Sequence, residues 1–247
     1  MRMIRPPHSA LLLALLVSTL PALSSAASKE EAIERARSLL LEDAQYMGLL
    51  VSDLDELVVT DIHTSRHNQV THIYFKQRVN GIEVANGTLT LNLDRSGEVV
   101  SWSSRLVSNL AARVNSFQPE LSRSEAIRGA AEQLGLRVEE PLDLLEDLGG
   151  TTREAIFSSS GISLDPITIK LAYYHTDQGE VRLTWEMLIR QTDQKHWWHL
   201  WLDAATGVVQ AKVDWIANDT YQAYALPKES PSDGGRTVQM DPADATA

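Results

Sequence analysis

The sequence predicts an α+β fold of two small domains, each an amphipathic helix packed on an antiparallel sheet, behind a cleavable signal peptide. Three observations carry that reading. An apolar stripe at helical spacing occurs twice, at 28–48 and at 121–135, and in each a Ser is followed three residues later by a Glu. Behind each stripe come short segments that alternate apolar and polar residues and are rich in β-branched and aromatic types. The N-terminus has the order of an export signal.

Residues 1–27 carry Arg2 and Arg5, an apolar run from Ala10 to Leu20, then Pro21 and the small-residue stretch ALSSAAS. The run of about eleven residues is shorter than the ~20 needed to cross a bilayer. Cleavage is therefore expected after Ala26 or Ala27, giving a secreted or periplasmic mature protein. From Ser28 the pattern reads as a helix, with Ser28 and Glu31 as a capping box, Ile33, Ala36, Leu39, Leu40 and Tyr46 as its stripe, and Gly48 as its stop. Strands follow at 57–65, 70–79, 88–94 and 98–107, separated by turn chemistry at Asn80-Gly81, at Asn86-Gly87 and from Asp94 to Gly97. They are expected to form one antiparallel sheet on the helix, a first domain at 28–107.

Residues 108–121 read as a linker, and a second domain is expected at 122–224. It opens with Ser122 and Glu125 as a second capping box, a stripe of Ile127, Ala130, Ala131 and Leu134, and Gly135 as stop. Its strands read at 152–159, 166–176, 180–192, 196–204 and 208–216, with turns at 177–179 and 204–207. Past Tyr224, three Pro, two Gly and no periodic apolar face mark 225–247 as a flexible connector.

The composition is globular, with 43% hydrophobic and 22% charged residues. Lys+Arg 22 against Asp+Glu 33 give a formal charge of -11, and the loss of Arg2 and Arg5 with the signal peptide makes the mature chain more acidic still. Such a chain repels phosphate backbones and anionic lipid, so no nucleic-acid partner and no membrane association after signal cleavage are expected. Cysteine is absent, which removes disulfides, thiol nucleophiles and Cys-based metal sites.

Catalytic constellations are missing as well. His63 and His67 stand at i and i+4 in HTSRH, but Thr64 occupies the place of the Glu in H-E-x-x-H. On a strand that spacing spans ~13 Å, too far to share one zinc, and His72 could join only through a specific hairpin. Asp53, Asp55 and Glu56, and Glu139 with Glu140, read as solvated faces. No nucleophile elbow, S-x-x-K pair, P-loop or dinucleotide turn occurs. No catalytic or metal residue is assigned. Asn86-Gly87-Thr88 and Asn218-Asp219-Thr220 satisfy the glycosylation sequon.

The most concentrated feature is aromatic. Trp185, Trp197, Trp198, Trp201 and Trp215, five of six tryptophans, fall within about thirty residues. In HWWHLWLDA the pleat sends Trp197, His199, Trp201 and Asp203 to one face and His196, Trp198, Leu200 and Leu202 to the other. Two readings stay open: a core rimmed by indoles, or a partner face whose candidate residues are Trp197, His199 and Trp201.

The stretch THIYFKQRVNGIEVANGTLTLNLDRSGEVVS resembles the FTP domain, the fungalysin/thermolysin propeptide module, through Tyr74, Phe75, Gln77, Asn80, Gly81, Ile82, Val84, Asn86, Gly87, Asp94 and Gly97. Residues 183–215 are similar to a PepSY-type domain, through the L-x-W strand and the turn of Asp203, Ala204, Thr206, Gly207 and Val209. Residues 214–247 resemble the junction ahead of the catalytic domain in fungalysin-family secreted metalloproteases. The resemblance implies a pro-region that acts as folding chaperone and inhibitor of its cognate metalloprotease catalytic domain. It also implies that zinc and the H-E-x-x-H helix belong to that domain, before which this chain stops, so no cofactor and no enzymatic activity are expected here. A stand-alone secreted binding module or protease inhibitor is the alternative.

Overall fold

The computed structural model describes residues 25–216, 220–223 and 237–240. The basic and apolar parts of the expected signal peptide, and most of the expected connector, lie outside the described residues. Helix α1 (Ser25–Asp43) starts ahead of Ser28. The capping box expected at Ser28 is corrected accordingly: small residues at 25–27 continue the helix at little steric cost, and Ser28 lies inside it. Ala36, Leu40 and Ala44 are buried against the sheet. Tyr46 does not continue the stripe, because the helix has ended and the turn closed by Gly48 (φ 72) turns its ring out to 84% exposure.

Strands β1 (Val58–Thr64), β2 (Thr71–Val79), β3 (Ile82–Leu93) and β4 (Val99–Ser104) pair antiparallel in chain order. The β2–β3 hairpin turns at Asn80 and Gly81, both at positive φ as an Asn-Gly hairpin requires. Asn86-Gly87 is corrected from a turn to the middle of β3. Glycine is needed there for close approach, since an added Cβ would lie 2.8 Å from Val84 Cβ.

The 108–121 segment carries a short helix, α2 (Leu110–Arg113), and crosses to the second half of the chain. The Asn115 N–H donates to the Val181 carbonyl and its side chain accepts from the Leu183 N–H. Helix α3 (Arg123–Gln133) is capped by Ser122 with Glu125, and its buried face is Ala126, Ile127, Ala130 and Ala131. Six antiparallel strands follow: β5 (Leu144–Gly149), β6 (Glu154–Phe157), β7 (Ile167–His175), β8 (Val181–Arg190), β9 (Trp197–Asp203) and β10 (Val209–Asp214). β5 has no counterpart in the sequence reading, because its residues are almost all exposed on both faces and show no alternation. Further on, β11 (Thr220–Ala223) pairs with β12 (Thr237–Met240), so the stretch expected to be flexible contains one strand, built on the β-branched pair Thr237-Val238.

β3 and β7 meet in parallel at Val84 and Tyr173, which joins ten strands into one sheet. Both large helices cover the same face of it. Along β2, Ile73 and Phe75 belong to the core under α1, whereas Val79 belongs to the core under α3. Three polar side chains knit the two cores. Asp53, 5% exposed, accepts from the N–H groups of Leu50, Asn109 and Leu110 at 2.8–2.9 Å. Gln77, fully buried, donates to the carbonyls of Asp53 and Val107 and accepts from the Val107 N–H. Asn86 donates to the His175 carbonyl at 2.8 Å and accepts from its N–H at 3.0 Å, which supplies a rung between β3 and β7. That commitment occupies the first sequon in the folded chain; Asn218 lies outside the described residues. No helix among the described residues is long and apolar enough to cross a membrane.

Candidate partner-binding face

The face of the sheet opposite α1 and α3 is uncovered by any helix among the described residues. Its character follows from strand alternation. In β9, Leu200 and Leu202 are fully buried toward α3, and Trp198 packs at the rim of the same core, under His196 (ring centroids 4.8 Å) and Lys212 (4.5 Å). Trp197, His199, Trp201 and Asp203 take the other face.

There the structure brings the three candidate residues into one aromatic row, with unequal exposure. Trp201 is 8% exposed, closed in by His199 at 4.1 Å and Tyr174 of β7 at 5.4 Å. Trp197 and His199 are half-buried, and Trp215 sets its edge against both, at 5.0 and 5.3 Å. The Arg190 guanidinium lies over Trp197 at 5.3 Å. The solvent-facing part of the row is Trp215 with Val213, each 47% exposed. Sequence reasoning counted Trp215 in the cluster without placing it on this face; the period-2 pattern of 209–214 was the available signal.

Charges continue the row toward β2. The Glu186 carboxylate accepts from His199 Nε2 at 2.7 Å and pairs with Lys170 at 3.8 Å, while Glu83 pairs with Lys76 at 3.6 Å and Arg78 at 3.2 Å. Burial opposes ionisation of Glu186, but the His199 hydrogen bond and the positive charges of Lys170, His199 and Lys76 outweigh it and hold its pKa below the ordinary 4.5. Asp203 behaves likewise: burial raises its pKa, and the N–H groups of Thr206 and Ala205 with the Arg182 guanidinium lower it further than burial raises it. The face is thus a pre-arranged set of aromatic rings and satisfied charges, suited to recognition.

The other singled-out residues go elsewhere. His63 and His72 are cross-strand partners with rings stacked at 4.8 Å, and His72 already bonds Asn92 at 2.7 Å and Ser65 at 3.1 Å. His67 sits in the β1–β2 turn. Asp53 is not a solvated face, as expected, but the buried clasp described above. Glu56 caps the β2–β3 hairpin, accepting from the N–H groups of Asn80 and Gly81. Asp55, Glu139 and Glu140 are exposed. Among the described residues no group of three or more His, Cys, Asp or Glu could hold a metal ion.

Residues 55–106 match a family model described as the Fungalysin/Thermolysin Propeptide Motif. Relatives include the extracellular metalloproteinase mep of Aspergillus niger, 31% identical over 193 residues that make up 76% of this chain and 29% of that protein. The extracellular metalloproteinase mep of Aspergillus terreus is 31% identical over 76% of this chain and 30% of its own length, and that of Leptosphaeria maculans 29% identical over 92% and 34%. The chain therefore spans about 30% of the length of the curated relatives it matches. Among solved structures it is similar to the C-terminal domain of YpeB from Bacillus megaterium, with 16% identity and a TM-score of 0.34 over 75% of this chain and 64% of that one.

Proposed function

This chain is a relative of the fungalysin-family extracellular metalloproteinases and carries their propeptide motif, and from that premise we propose that it acts as inhibitor and folding chaperone of a cognate zinc metalloendopeptidase catalytic domain. In this reading residues 1–27 direct export and are removed. Residues 28–107 form the propeptide module, 108–121 connect it to a PepSY-type module at 122–224, and the remainder leads toward the catalytic domain. Zinc and catalysis belong to that domain.

The observation that carries the proposal is the propeptide motif at 55–106 together with what its residues do. Gln77, Asn80, Gly81, Asn86 and Gly87 face inward or close a turn; they hold the frame that carries the uncovered face. A rigid frame lowers the ordering cost of binding. Trp215 and Trp197, with Trp201 packed behind them, supply the aromatic anchors that dominate interface energies, and His199 and Glu186 supply polar complementarity. An inhibitor needs only to bind its partner's cleft and leave on proteolysis.

The experiment is alanine substitution on this face, read as inhibition of a fungalysin-type catalytic domain. Trp197→Ala and Trp215→Ala should each weaken inhibition by about 30-fold, the ~2 kcal/mol of a hot spot, in proteins that remain folded by circular dichroism. Unchanged inhibition in both folded variants would remove this face from the interface.

A further inference from the structure

The ten-stranded sheet has four free edges among the described residues, β1, β4, β5 and β10. A free edge is a row of unpaired N–H and C=O groups, which soluble proteins guard with charge, proline or bulges. β1 carries Asp61 and a register break before it; β5 carries Glu146 and Asp147 and two breaks; β10 carries Lys212, Asp214 and a break after Val209. β4, Val99-Val100-Ser101-Trp102-Ser103-Ser104, carries no charged residue. Its one irregularity lies at its start, at Val100, and Ser101 to Ser104 pair with β3 in unbroken register.

Exposed apolar surface gathers at the same place. Tyr46 is 84% exposed, Val100 56%, Trp102 46% and Val99 38%. Tyr46, Trp102 and Val99 line a groove of about 250 Å³ between α1 and β4 with Leu39 and Met47, and Asp43 is its one charged lining residue. The register sets the two sides of the edge. Trp102 and Ser104 stand opposite Leu91 and Leu89 on the helix side, and Ser101 and Ser103 stand opposite Asn92 and Thr90 on the other.

We propose that β4 is a docking edge that takes an extended segment of a partner polypeptide as a further strand, one in which apolar side chains alternate with Lys or Arg. Its backbone completes the β4 ladder, and its apolar side chains enter the groove against Trp102 and Tyr46. The basic side chains project on the other face beside Ser101 and Ser103. Positive charge suits a chain with 33 acidic against 22 basic residues. A second copy of this chain fits less well, since it brings the same negative charge and offers six strand residues where a standard interface uses ~20–30 a side. The inference does not rest on the inhibitory reading, because its test reads strand addition and not protease activity.

The test uses the full chain and an eight-residue peptide in which valine alternates with lysine. Amide exchange across 100–104 should slow by about tenfold or more at saturation. Ser103→Lys, at an exposed position, sets like charge beside the added strand, and Trp102→Ala empties the groove wall; each should weaken binding by about tenfold. A peptide of the same length with proline at alternate positions should not bind, for want of N–H donors. Failure of the valine-lysine peptide to bind, indifference to both substitutions, slowed exchange at β1, β5 or β10 instead, or self-association through β4 without peptide would each overturn the proposal.

Discussion

Gln77 stands where the β2–β3 register breaks, and its fully buried amide makes three hydrogen bonds, to the Asp53 and Val107 carbonyls and from the Val107 N–H. Gln77→Leu keeps the volume and removes all three, leaving the Val107 N–H and two carbonyls buried. The expected loss is about 3 kcal/mol, read from the urea midpoint at constant m-value. Titration makes a second prediction at this scale. Burial first, and then the Arg113 charge, hold the His175 imidazole below its ordinary 6.5, so folding favours the neutral ring. That contribution is complete above pH 6.5 and is lost as the pH falls from there toward the depressed folded value. Glu186, Asp203 and Asp214 are held below their ordinary carboxylate values, so what they add is complete above those values and lost as the pH falls through the lower folded ones. Urea midpoints should be flat from pH 8 to about 6.5, decline gently below that, and drop steeply below about 4.5. His175→Gln should remove the gentle segment, and a midpoint that rises on acidification contradicts the assignment.

At the scale of elements, what was legible in the sequence was local. Ser122 with Glu125 and the stripe of Ile127, Ala130 and Ala131 define α3 from neighbouring residues alone, and the alternation of 70–79 and 196–204 predicts which side chains share a face. What was not legible depends on distant partners. Asn86-Gly87 has the chemistry of a turn, but Gly87 packs on Val84 and Gln77 while Asn86 bonds His175, 89 positions away. The burial of Trp201 is set by Tyr174 on another strand, and so the exposed indoles are Trp215 and Trp102, which spacing within 196–204 cannot reveal. β5 shows no period because neither of its faces is covered. The β3–β7 junction is short, a single parallel pair reinforced by Asn86. Asn86→Ala should therefore cost about 1–3 kcal/mol and split the single calorimetric transition expected of the intact protein into two.

For the whole molecule, two cores lie under one continuous sheet, with both large helices on one side and an aromatic, charge-satisfied face on the other. The propeptide motif at 55–106 lies within this sheet, and Trp215, 47% exposed, and half-buried Trp197 stand on its open face. Among the described residues no helix covers that side, and in the proposed reading the chain acts there through surface complementarity. The most direct measurement is titration of the separately produced catalytic domain of a fungalysin-type extracellular metalloproteinase with this chain. The proposed inhibition and folding assistance require that peptidase activity fall linearly to a break at one chain per catalytic domain, and that the yield of active enzyme on refolding rise with the chain present. Full activity at a several-fold molar excess, with no gain on refolding, would contradict it.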